Sequence, residues 1–133
     1  MNNLALVDEI KNNIYCSKET KTEEDKKELY NALEECDILL NDIVGQNIKI
    51  KDVYVEEREI VDEQSGELKK KYRTILFDEN GTTYVSGAYG IFNALKKIFS
   101  VYGFPTNWEN PIEVEVIKKS LNGGKKSLSL KLV

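Results

Sequence analysis

The sixteen residues 88–103, AYGIFNALKKIFSVYG, constrain the fold more than any other stretch of this chain. Wound at about 100° per residue, they bring Ile91, Phe92, Leu95, Ile98, Phe99 and Tyr102 into one apolar stripe and leave Asn93, Lys96, Lys97 and Ser100 outside it. Gly103 is the expected stop, with Pro105 just beyond. On both sides of this helix, from Gln46 before it and from Pro111 after it, apolar residues recur with period two. The order is therefore three strands, a helix and two strands, which is the order of an OB barrel. The expected fold is mainly β: a five-stranded OB-fold barrel over residues 46–133, with the helix between strands 3 and 4.

Within that frame the strands read as follows. Residues 46–61 form the first, and its phase slips at Lys51 and Asp52: Ile48 and Ile50 share one parity, Val53 and Val55 the other. A β-bulge there would let one strand serve both halves of a small barrel. The turn at 62–68 leads to a second strand at 69–78, and Asn80-Gly81 marks the hairpin into a third at 82–88. The segment 104–111 is an extended linker held by two prolines. The last two strands alternate cleanly, Ile112, Val114 and Val116 and then Leu128, Leu130 and Leu132.

Upstream, Thr22 followed by Glu23, Glu24 and Asp25 is an N-cap with acids in the first turn, predicting an extra N-terminal helix that ends near Glu35 and caps an open barrel end. Residues 13–17 alternate as a short edge strand would. Residues 1–12 fit either a short helix or an arm. A chain of 133 residues is expected to be one domain, divided into a helical extension at 1–45 and the barrel at 46–133. Its N-terminus lacks the basic and apolar regions of a signal peptide, and no run is long enough to cross a membrane, so a cytoplasmic protein is expected.

Composition enters where chemistry is at issue. The chain has no histidine, which removes the Ser/His/Asp and Cys/His nucleophile arrangements, and Cys16 and Cys36 lack metal-ligand spacing. No cofactor, no metal and no enzymatic activity are expected. The formal net charge of −4 is unevenly placed: residues 1–45 hold 11 acids and 5 bases, net −6, and residues 46–133 hold 12 acids and 14 bases, net +2.

In OB folds the ligand lies across strands 2 and 3, between the loop joining strands 1 and 2 and the loop joining strands 4 and 5. The first of these loops exits into Lys69, Lys70, Lys71 and Arg73, and the second carries Lys119, Lys125 and Lys126 beside two glycines. Tyr72 and Tyr84 on the intervening strands have ring faces on which bases can stack, and Trp108 in the linker is either a further stacking surface or a lid over the barrel. Phase alone leaves Tyr72 and Tyr84 equally able to face the core, and a lysine run on an outer strand also serves solubility. Cationic rims around stacking rings suit single-stranded nucleic acid better than duplex, which hides its base faces. A protein-interaction module acting through the acidic N-terminal segment is the alternative.

The ordered blocks VGQNIKIKDVYVEE, FDENGTTYVS, GIFNALKKIF, YGFPTNWENPIEVEV and KKSLSLKLV, preceded by TEEDKKELYNALEECDILLND, resemble the single-stranded DNA-binding proteins encoded by bacteriophages of Gram-positive bacteria. The likeness covers residues 14–133. It implies an OB-type fold and sequence-tolerant binding of single-stranded DNA in phage replication or recombination, with phage replication proteins as further partners.

Overall fold

The computed structural model describes residues 12–133. The reading of residues 1–11 as a short helix or arm lies outside them. The elements in chain order are β1 (Asn12–Cys16), α1 (Glu23–Glu34), β2 (Ile38–Leu39), β3 (Asn47–Val61), β4 (Leu68–Asp78), β5 (Thr83–Ser86), α2 (Tyr89–Tyr102), β6 (Ile112–Ser120) and β7 (Lys126–Leu132), with short 3-10 turns at Leu40–Ile43, Pro105–Asn107 and Asn122–Gly124.

The strands form one seven-stranded sheet in the order β2-β5-β4-β3-β6-β7, with β1 added to β3 off this path. This corrects the expected count of five. The series β3 to β7 with a helix after β5 follows the expected order broadly, but two short strands are added, and the helices follow β1 and β5 of seven strands. Among the described residues β5 pairs with β4 and β2, and β7 with β6 alone, so the sheet curls into an OB-like half-barrel without strand pairing across its seam.

β3 organises the sheet because it is long enough to have three partners. Its first residues, Asn47–Ile50, pair with β6; beyond the bend, residues 54–58 pair with β1; on its other side it pairs with β4 along most of its length. The register against β4 shifts between Ile50 and Asp52, where the sequence changes phase. The extra residue bends the strand away from β6 and leaves an edge that β1 takes up. The Ser17 hydroxyl fixes that junction: it donates to Asp52 Oδ1 at 2.9 Å and accepts from the Val53 N–H at 2.9 Å.

Two apolar cores lie on the two faces of the sheet. The larger contains Ile48, Ile50, Val53, Val55, Leu76, Val114, Val116 and Leu128 with Ile91, Leu95 and Ile98 of α2. Tyr102, the last residue of the predicted stripe, is 51% exposed. The helix ends where expected: Gly103 has φ +80° and its N–H returns to the Phe99 carbonyl. At its start Gly90 sits so close to β7 that a Cβ there would collide with the Leu128 carbonyl oxygen. The helix thus packs directly on the strand that ends the sheet order.

The smaller core lies on the opposite face, where Leu29 and Ala32 of α1 cover Tyr54, Ile75 and Phe77, joined by Leu33 and Cys36. α1 carries the expected cap in full: Thr22 Oγ1 accepts from the Asp25 N–H at 3.0 Å, and the Asp25 carboxylate accepts from the Thr22 N–H at 3.2 Å. The helix covers a sheet face rather than a barrel end.

Candidate nucleic-acid interface

Alternation along β3 and β4 divides the expected site between two surfaces. Opposite pairs such as Val53 with Leu76, Val55 with Thr74 and Glu57 with Tyr72 face the α2 side; Tyr54 with Ile75, Glu56 with Arg73 and Arg58 with Lys71 face the α1 side. Lys70 and Tyr72 therefore accompany α2, while Lys69, Lys71 and Arg73 accompany α1. Residues 69–73 therefore do not form one basic rim, because a period-two strand sends neighbouring side chains to opposite faces.

Several of these cations are already engaged. Lys69 Nζ lies 2.7 Å from Asp62 Oδ2, and this ammonium is the first cause of the lowered Asp62 pKa, ahead of the Gln64 N–H that the same carboxylate accepts. Lys70 Nζ is 3.5 Å from Glu57 Oε1. The Arg73 guanidinium donates to the Leu33 carbonyl in the last turn of α1, so it serves helix docking. Lys71, Lys125 and Lys126 are exposed and have no carboxylate partner among the described residues.

The two tyrosines of the expected site have different fates. Tyr84 pairs with Leu76 and shares its inward parity, so its ring belongs to the larger core, 9% exposed. Its hydroxyl donates to Asp78 Oδ2 at 3.0 Å. Burial, followed by this bond, pushes the phenol up to about 12. A sealed ring has no face for a base, so Tyr84 leaves the candidate site. Tyr72 lies beyond the core on the same face, half-buried, with Tyr89 at 5.2 Å and Phe92 at 4.6 Å between ring centroids. Lys96 stands over the Phe92 ring at 5.4 Å. This cluster is not visible in the sequence, because Tyr89 and Phe92 of α2 meet Tyr72 of β4 only through the fold.

Trp108 packs against the larger core beside Phe99, centroids 6.3 Å apart, and donates from Nε1 to the Gly103 carbonyl at 2.9 Å. Its ring is thus partly buried against the core and partly open to solvent. It lines a recess with Lys51 and Asp52 at the bend of β3.

Asp62 and Asp78 act as turn formers: Asp78 Oδ1 accepts from the N–H groups of Asn80 at 2.8 Å and Thr82 at 2.9 Å. Among the described residues no group of three or more Cys, Asp or Glu side chains is placed to hold a metal ion, and no helix is long and apolar enough to cross a membrane. The thiols of Cys16 and Cys36 are both pushed up, first by burial, which leaves less of the nucleophilic thiolate.

A family model described as phage single-stranded DNA-binding protein matches residues 8–133, all but the first seven residues. Comparison with curated proteins and with solved structures returns no significant match.

Proposed function

The chain belongs to the family of phage single-stranded DNA-binding proteins, and we propose from that premise that it coats single-stranded DNA without sequence selection during replication or recombination of phage DNA in the host cytoplasm. The observation that carries this is the extent of the match, which takes in both the half-barrel and the α1 extension. The role is one of binding, not catalysis.

The physical terms fit this reading. Residues 46–133 carry a net +2 although the whole chain is acidic, and several of their lysines form no salt bridge among the described residues. Lys125 in the β6–β7 loop and Lys126 at the start of β7 neutralise phosphates, a contribution indifferent to sequence and sensitive to salt. The Tyr72–Tyr89 pair presents ring surface for base stacking, worth about 1–3 kcal/mol per base.

Titration of the protein with a labelled oligonucleotide across a salt series tests the proposal. The logarithm of the affinity should fall linearly with the logarithm of salt, by about 0.7 for each phosphate neutralised on a single strand. Homopolymers of different base should bind within a few-fold of one another. No binding at low salt, or equal affinity at low and high salt, overturns the reading.

A further inference from the structure

We infer that the DNA strand runs through the groove between α2 and the β6–β7 hairpin, rather than across the outer face of the second and third barrel strands where OB folds usually hold their ligand. The inference rests on the proposed single-stranded DNA binding and names where that binding takes place. Three observations carry it.

The first is that the usual face is occupied. α1 covers Tyr54, Ile75 and Phe77, and Arg73, the cation nearest the middle of that face, is tied to the helix backbone. A strand of DNA there would also meet the acids of α1, including Glu23, Glu24 and Glu28.

The second is the charge around the groove. Residues 80–108 and 116–133 contain no Asp or Glu, and between them they hold seven lysines: Lys96, Lys97, Lys118, Lys119, Lys125, Lys126 and Lys131. None of the seven has a carboxylate partner among the described residues, whereas Lys18, Lys26, Lys49, Arg58, Lys69 and Lys70 all do. Lys97, Lys119 and Lys131 line the groove itself, with Glu115 the cross-strand neighbour of Lys131, and lysines that outnumber acids along a groove create a positive potential suited to a polyanion.

The third is the shape and lining of the groove. It has a volume of about 640 Å³, and Tyr89, Lys97, Tyr102, Lys119, Leu121 and Lys131 are among the residues around it. Tyr89 and Tyr102 are 52% and 51% exposed and stand at opposite ends of α2. Thirteen residues of helix separate them, about 20 Å, the length of roughly six stacked nucleotides. Ser127 and Ser129 on β7 also line the groove. Exposed rings, apolar side chains and unpaired ammonium groups together match the base faces and phosphates of a single strand; a duplex would offer only the phosphates.

The test compares three variants of the full chain, two of exposed lysines and one of an exposed tyrosine, in the same salt titration. Substituting Lys97, Lys119 and Lys131 by Gln should lower the magnitude of the salt slope by about 2, whereas Lys69→Gln with Lys71→Gln on the α1 side should leave it unchanged. Tyr102→Ala, an exposed position whose loss spares the core, should weaken binding about ten-fold with the salt slope retained. Wild-type slope in the triple variant, or an equal loss from the α1-side pair, overturns the inference while leaving DNA binding itself standing. Failure of the wild-type protein to bind at low salt overturns the underlying reading instead. If an acidic peptide binds the groove but oligonucleotide does not compete with it, the groove belongs to a protein partner and the inference falls.

Discussion

Thr74 is fully buried on the α2 side of β4, and its hydroxyl has no hydrogen-bond partner in the described structure. A buried hydroxyl without a partner keeps its desolvation cost and gains nothing in return. Thr74→Val replaces it with a methyl of nearly the same shape and should stabilise the fold by about 1 kcal/mol, read as a higher urea midpoint at unchanged slope. An unchanged or lower midpoint would mean that the hydroxyl has a partner in solution. Tyr84 presents the opposite case, a buried hydroxyl that is satisfied. Its folded pKa, about 12, lies above its ordinary value of 10, so the neutral phenol is the form that the fold favours. That stabilisation is fully present below pH 10 and is lost as pH rises through about 12. Stability measured between these limits should fall less steeply in Tyr84→Phe than in the wild type, and parallel profiles would count against burial of this ring.

At the scale of elements, α1 depends on its cap and its apolar face together. The Asp25 carboxylate is held below its ordinary range, first by the Thr22 N–H that it accepts. A depressed carboxylate stabilises above its unfolded pKa and loses that effect as pH falls through the folded value, so α1 should loosen on acidification below about pH 4 before the half-barrel does. Thr22→Ala should cost about 1 kcal/mol, and hydrogen exchange should localise the loss to α1 amides. Loss spread evenly over the sheet would show instead that α1 and the sheet open as one unit. This cap was legible in the sequence because capping is local, and so were the stripe of α2 and the bulge in β3. What was not legible depended on distant partners. The length of α1 does not say whether it covers an end or a face; that follows from Ile75 and Phe77 being outward on β4. The parity of Tyr84 became readable only once Leu76 was its cross-strand neighbour. β2 has two residues, and its position against β5 rests on Asp37 accepting from the Thr83 N–H and hydroxyl, 46 residues away.

At the scale of the whole molecule, function depends on how charge is distributed over two opposed surfaces. The acidic extension, net −6 over residues 1–45, includes α1, while the seven lysines without a carboxylate partner among the described residues belong to α2, β6, β7 and the loop between those strands. A net negative protein that binds a polyanion must keep its acids away from the strand, and packing α1 on the far face of the sheet does this. The separation is incomplete as seen from solution, because the Debye length is about 30 Å at 0.01 M salt and about 3 Å at 1 M. At low ionic strength the approaching strand therefore feels the repulsion of α1 as well as the attraction of the lysines. Glu24 and Glu34 are exposed and have no ion-pair partner among the described residues, so their substitution by Gln removes charge with little effect on packing. Glu24→Gln with Glu34→Gln should bind oligonucleotide several-fold more tightly at low salt, chiefly through faster association, and should match the wild type at high salt. An advantage that persists at high salt would mean a direct contact between α1 and the strand, and no advantage at low salt would remove long-range repulsion as the reason for placing the acids there.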